Sequence, residues 1–385
     1  MKILFFFFNP VIPEFGGVER VAACKMKEFM NLGHDVYTVY WNDININKSI
    51  NSNYNNQYQL PDRSSINSLV NIEFLKKIIK EKQIDVVLNL GAINSRSSLG
   101  IIKACKIVNC PLISVIHNSI DAPLRYFSLG KRIMKTKLGY VFLRFLFKLL
   151  QYNPMYKGAY YVYKNTDATV VLSHGYINEF KYLIPKVRNS KKIFAISNPL
   201  TLIDDNCISE KENIVLFVGR LTTQKSVDKL LDIWNSLPNN NWSLVIVGSG
   251  NREAELKRKA KNMRSNVIFI GNCDPVPFYK RAKIFCLTSI YEGYPMTLIE
   301  CQAFGCVPII FNSFPAANEV ITNDINGYVI NAFDKKEYKE KLWKLMNDEQ
   351  SLKQLSDNCM LESYKYSKDK IIKEWIILME NILRR

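Results

Sequence analysis

The feature that most constrains how this chain folds is a rhythm: short apolar runs return along its 385 residues, separated by stretches with helical periodicity. In the first half the runs lie at 2–8, 35–40, 84–90, 111–116 and 168–172. In the second they lie at 213–218, 242–247, 266–270, 283–287 and 307–311. A run as continuous as Ile3-Leu4-Phe5-Phe6-Phe7-Phe8 has no polar face to offer water, so it predicts a strand covered on both sides. Strands of this kind joined by helix-length segments build βαβ units and parallel sheets, and here the pattern runs twice. The predicted class is α/β with two Rossmann-like domains. Asn198-Pro199 and the polar stretch that reaches Asn213 mark the crossing between them, placing the domains at 1–198 and 199–368. The segment from about 369 to 385 reads as an amphipathic helix.

The opening Met-Lys-Ile-Leu-Phe-Phe-Phe-Phe-Asn-Pro resembles a secretory leader only superficially, because no small-residue cleavage site follows it. No stretch reaches the ~18 uninterrupted apolar residues of a membrane-spanning helix. Lys and Arg number 52 against 35 Asp and Glu, a formal charge of +17 that favours anionic partners. Nine cysteines, an odd number with no Cys-x-x-Cys pair, read as reduced thiols of a cytosolic protein. With three histidines and no Asp-x-Asp pair, neither a metal held by the protein nor another cofactor is expected.

In open α/β sheets ligands bind outside the carboxyl ends of the strands, so residues just past each apolar run are the candidates. The run Tyr291-Glu292-Gly293-Tyr294-Pro295-Met296-Thr297-Leu298-Ile299-Glu300 follows one such strand. Pro295 suits a helix start, and Met296, Ile299 and Ala303 recur at helical spacing. Glu292 then lies in the loop and Glu300 more than one turn into the helix. The backbone N–H groups of 293–297 form an N-terminal anion site between them. One acid for a sugar, one for a ribose and a helix end for phosphates describe a pocket for a nucleotide sugar.

This run, with Ala303-Phe304-Gly305-Cys306-Val307-Pro308 after it, resembles the E-x7-E signature of the retaining glycosyltransferases of family 4. The resemblance implies the GT-B fold, two Rossmann-like domains facing a central cleft, with the C-terminal helix returning to the first. It implies an acceptor-binding first domain and a second domain holding a nucleotide-diphosphate sugar, UDP-linked by default. The sugar would pass with retention to a glycan or lipid-linked acceptor of bacterial surface polysaccharide or lipopolysaccharide. Glu292 would orient the donor sugar without forming a covalent intermediate, and Glu300 would hold the ribose.

The same resemblance assigns other turns. Gly16 and Gly17, after the first strand, match the first-domain Gly-Gly loop that approaches donor phosphate or sugar. Gly219-Arg220 and Lys225 match the diphosphate-binding motif, with Ser226 where glycine is usual; a forked guanidinium and a point charge five residues on suit that ligand. Gly248 and Asn272 end strands that would wall the nucleotide pocket. His117, after the strand at 111–116, is placed beside the reacting sugar. Apart from the resemblance, Asn94 and Arg96, just past the strand ending at Leu90-Gly91, are weaker acceptor-side candidates. Asn312-Ser313-Phe314-Pro315 replaces the family's glycine-rich turn, which leaves the sugar's identity unassigned.

Between Asp121 and Asp167 stand nine Lys and Arg residues and no acidic one, interleaved with Phe and Tyr. A segment of this kind at about 124–164 fits an anionic membrane surface, RNA, or a solvated basic hairpin packed through its aromatics. The membrane reading, peripheral on the inner face of the cell membrane, accounts best for a lipid-linked acceptor, and nucleic acid is not expected. Alternatives of other classes are a nucleotide-sugar epimerase of the same fold, a phosphorylase-like enzyme carrying pyridoxal phosphate, and a non-catalytic basic membrane- or RNA-binding protein.

Overall fold

In a computed structural model, residues 1–13, 16–42, 56–91, 95–119, 142, 145, 154–202, 210–238, 241–263 and 266–385 are described, with backbone alone at 95, 96, 154 and 155. The chain divides into two compact units. One combines Met1–Asp121, Arg144–Thr201 and Lys368–Arg385; the other is built chiefly of Leu202–Ser367.

The first unit carries β1 (Lys2–Phe7), β2 (Asp35–Tyr40), β3 (Gln57–Gln59), β4 (Val86–Asn89), β5 (Leu112–Ile116), β6 (Ala168–Val171) and β7 (Ile193–Ala195). They form a parallel sheet in the order β3-β2-β1-β4-β5-β6-β7. The two-residue period of a strand explains the phenylalanine run. Ile3, Phe5 and Phe7 enter a core with Met26 and Phe29 of helix Gly17–Asn31 and with Trp375 and Met379 of helix Lys368–Leu383. Leu4 and Phe6 enter the opposite core, with Ile72 and Leu75 of helix Leu69–Glu81 and Ile101 of helix Ser95–Val108. Each such side chain contributes about 1.5–3 kcal/mol on burial.

The second unit holds β8 (Glu212–Val218), β9 (Ser243–Val247), β10 (Val267–Gly271), β11 (Ala282–Leu287), β12 (Val307–Phe311) and β13 (Tyr328–Ile330), parallel in the order β10-β9-β8-β11-β12-β13. The ten expected strands are present. The sequence reading missed β3, β7 and β13, each three residues long and at a sheet edge. A run that short carries no periodicity of its own and owes its conformation to the neighbouring strand. Among the described residues no helix is long and apolar enough to cross a membrane.

Candidate functional site

In the second sheet the strand order reverses between β8 and β11. Such a switch point opens a crevice at the carboxyl ends of the two strands. Since β8 ends at Val218 and β11 at Leu287, the topology brings the loops starting at Gly219 and Thr288 together there. Lys225 and Glu292, 67 positions apart in sequence, meet at this place: Lys225 Nζ donates to Glu292 Oε1 at 2.7 Å. Their side chains are only 13% and 6% exposed, so the pair is largely withdrawn from solvent screening. Arg220 stands exposed on the same loop.

These loops and the turn after β12 are stitched by hydrogen bonds that sequence reasoning did not foresee. The Gln224 carbonyl accepts the Ile290 N–H at 2.8 Å, and Gln224 Nε2 donates to the Tyr291 carbonyl at 3.0 Å. The Thr288 hydroxyl donates to the Ser226 carbonyl at 3.1 Å. The Ser313 hydroxyl, in the turn that departs from the glycine-rich pattern, donates to the Ser289 carbonyl at 2.6 Å. Neither spacing nor residue type distinguishes such brackets from ordinary polar residues; only the fold makes them neighbours.

Two positions explain their residue types through backbone geometry. Gly248 has φ +131°, and a Cβ there would sit 2.0 Å from the Gly219 carbonyl oxygen, so only glycine lets the ends of β8 and β9 approach this closely. Ser226 adopts φ 51°, ψ 43°, the left-handed region that costs an L-residue roughly 1–2 kcal/mol and that glycine enters freely. Its backbone thus accounts for the glycine expected at that position. Asn272 follows β10 as an exposed residue.

The helix expected from Pro295 runs over Met296–Ala303, and no side chain caps its start. Gly293, Tyr294, Pro295 and Met296 are buried and Thr297 partly so. Glu300 lies deeper than its neighbour in the motif. It is 1% exposed and its Oε2 accepts from the Tyr279 hydroxyl at 3.2 Å, a partner the sequence did not suggest. Burial, and then the Glu300 charge, push the Tyr279 hydroxyl well above its ordinary range, so it stays a donor.

In the first unit, Gly16 is extended at φ 177° and precedes helix Gly17–Asn31, so the Gly-Gly pair sits at a strand-to-helix turn. His117 follows β5 at the carboxyl edge, as its position predicts. Both its ring nitrogens are shielded and lack a hydrogen-bond partner among the described residues. Burial first, and Lys25 second, push its pKa down to about 3, so the imidazole is neutral at physiological pH. Ser173 caps helix His174–Leu183. Asn94, the Arg96 side chain and most of the basic aromatic segment lie outside the described residues. Of that segment Phe142 and Phe145 are exposed on helical backbone, and Lys157 and Lys164 belong to helix Pro154–Lys164. Among the described residues no three His, Cys, Asp or Glu side chains group as a metal site.

Two parallel α/β units of this kind superpose on HepE from Anabaena, solved with UDP, with a TM-score of 0.75 at 14% identity over 99% of this chain and 100% of that one. The chain has the GT-B fold. Residues 201–360, which contain the Lys225–Glu292 pair, match the family model of the group 1 glycosyl transferases. A Haemophilus influenzae protein named as an uncharacterised glycosyltransferase is 29% identical over 97% of this chain and 98% of its own. The GalNAc-alpha-(1->4)-GalNAc-alpha-(1->3)-diNAcBac-PP-undecaprenol alpha-1,4-N-acetyl-D-galactosaminyltransferase of Campylobacter jejuni is 31% identical over 50% of this chain and 55% of its own. Family match and relatives together support a glycosyltransferase.

Proposed function

We propose that this chain is a retaining glycosyltransferase of family 4, moving a sugar from a nucleotide-diphosphate donor, UDP-linked by default, to a glycan or lipid-linked acceptor in bacterial surface polysaccharide or lipopolysaccharide synthesis. The observation that carries the reading is the Lys225–Glu292 pair at the switch point of the second sheet, with Arg220 exposed on the loop that carries Lys225. A cation pre-positioned by a carboxylate, a second cation with a forked donor and an uncapped helix start are the groups a leaving diphosphate needs as its charge grows. Glu292 is assigned to the donor-sugar hydroxyls. Paired with Lys225 it serves as an orienting acceptor, which favours no covalent glycosyl-enzyme. Glu300, steadied by Tyr279, is assigned to the ribose, with Gly219, Gly248 and Asn272 along the nucleotide.

The first unit is assigned to the acceptor, and its neutral His117 to hydrogen bonding rather than proton transfer. UDP in HepE and the undecaprenol-linked acceptor in the Campylobacter enzyme's name support this choice of donor and acceptor. The basic segment at 124–164 is assigned to an anionic membrane face, which places the protein on the cytoplasmic side of the cell membrane. No cofactor enters the scheme.

The test is release of nucleoside diphosphate from a panel of nucleotide sugars with a bacterial lipid extract. Lipid-dependent release from one donor, lowered at least 100-fold in Arg220→Ala and in Glu292→Ala, is the expected result. Conversion of the donor without any acceptor would point to an epimerase instead. No turnover, with vesicle or RNA binding intact in both variants, would remove the enzymatic reading.

A further inference from the structure

At the amino-terminal edge of the first sheet, away from the strand ends that carry the Gly-Gly turn and His117, lies a pocket of about 600 Å³. It is lined by the turns that feed β5, β6 and β7 and by the end of helix Lys368–Leu383. Its wall carries the side chains of Lys106, Lys164, Lys192 and Arg385 against one side-chain carboxylate, Asp167. That carboxylate is engaged, since its Oδ2 accepts the Leu112 N–H at 2.8 Å. Lys192 Nζ donates to the Thr166 carbonyl at 2.8 Å and Lys106 Nζ to Asn165 Oδ1 at 2.5 Å. An ammonium has three donors, so each keeps capacity for a ligand. The Thr166 hydroxyl, on a residue 4% exposed, has no hydrogen-bond partner among the described residues.

Part of this charge answers the fold itself. Lys106 and Lys164 stand in the last turns of helices Ser95–Val108 and Pro154–Lys164, whose carbonyl ends each present about half a negative charge. Lys192 precedes a strand and is in no helix, so it is surplus to that role. Arg385, the last residue of the sequence, carries a main-chain carboxylate beside its guanidinium and is counted as neutral; three ammonium groups against one engaged carboxylate still leave the pocket positive after the ends of these two helices are counted. A phosphate group, with several acceptor oxygens for the ammonium donors still available, matches this lining better than a single carboxylate does.

We propose that this pocket binds a phosphate group, independently of the nucleotide-sugar site. The group is supplied by a free phosphate compound or by the headgroup of an anionic lipid.

The experiment titrates inorganic phosphate and glycerol phosphate into the full chain by calorimetry, and repeats the titration with Lys106→Gln/Lys192→Gln, Arg385→Ala and Lys225→Met. Thermal melts establish that each variant is folded. Affinity reduced at least tenfold in the double variant, reduced in Arg385→Ala and retained in Lys225→Met is the expected result. Flotation with phosphatidylglycerol vesicles, against phosphatidylcholine, distinguishes the sources. Competition between these vesicles and glycerol phosphate assigns the lipid headgroup, and soluble binding without competition assigns a free phosphate compound. Absence of binding to either probe overturns the proposal. So does binding that survives the double variant and disappears in Lys225→Met, which would put the phosphate in the second unit.

Discussion

At the scale of single residues, the Lys225–Glu292 pair combines two costs with one gain. Removing both charges from water is expensive, and their 2.7 Å contact offsets that expense only while both are present. Lys225→Met removes the cation held against a largely buried carboxylate and is expected to lower stability by up to about 3 kcal/mol. The double variant Lys225→Met/Glu292→Gln should recover most of that loss in chemical denaturation while recovering none of the turnover. Equal stability loss in the single and double variants would show that a stranded Glu292 charge is not the source of the loss. Both residues could be picked out in the sequence from the chemistry around them. Their contact could not, because it depends on two loops 67 positions apart emerging from adjacent strands.

At the scale of elements, the loops of the second unit are shaped by backbone conformation as much as by side chains. Ser226 pays the left-handed penalty, so Ser226→Gly should raise stability by about 0.5–1 kcal/mol, the relief being partly cancelled by glycine's entropy. Gly248→Ala should act in the opposite sense. A methyl group 2.0 Å from the Gly219 carbonyl forces β8 and β9 apart, lowering the melting temperature and, where the proposed nucleotide site is the true one, weakening nucleotide binding with it. Most of the long strands were legible because they bury continuous, largely apolar runs, five residues each in β1 and β12, while β10, with no buried residue, showed only as an apolar run in the sequence. The edge strands β3, β7 and β13 were not, since three residues paired on one side leave no pattern.

At the scale of the whole molecule, helix Lys368–Leu383 completes the core of the first unit. Trp375 is fully buried there, and Lys25 Nζ lies 4.6 Å from its ring centroid. Lys25 is an amine in a hydrocarbon core, and burial lowers its pKa from 10.5 to about 7. The unfolded chain therefore holds a proton that the folded chain has lost between those values, so stability rises with pH across that window and the full penalty persists below it. Lys25→Met is expected to stabilise the protein at pH 7 by up to about 4 kcal/mol and to flatten that rise, as read by denaturation at pH 7, 8.5 and 10. An unchanged slope would mean that Lys25 keeps its proton in the fold. Nothing in the local sequence sets Lys25 apart from the exposed lysines around it; the partner helix lies about 350 positions away.

The sequence by itself determined the class of fold, because strands buried on both faces must be continuous in apolar residues and crossover helices must keep their own period. It also singled out the loops after the strands as candidates for ligand chemistry, since the residues after a buried strand are the first that can be polar. Which of those residues meet is set by the three-dimensional packing. The reversal between β8 and β11 joins Lys225 to Glu292, the packing of helix Val276–Arg281 puts Tyr279 on Glu300, and the last helix encloses Lys25. Those contacts depend on sheet order and layer packing, and a linear pattern of hydrophobicity fixes neither.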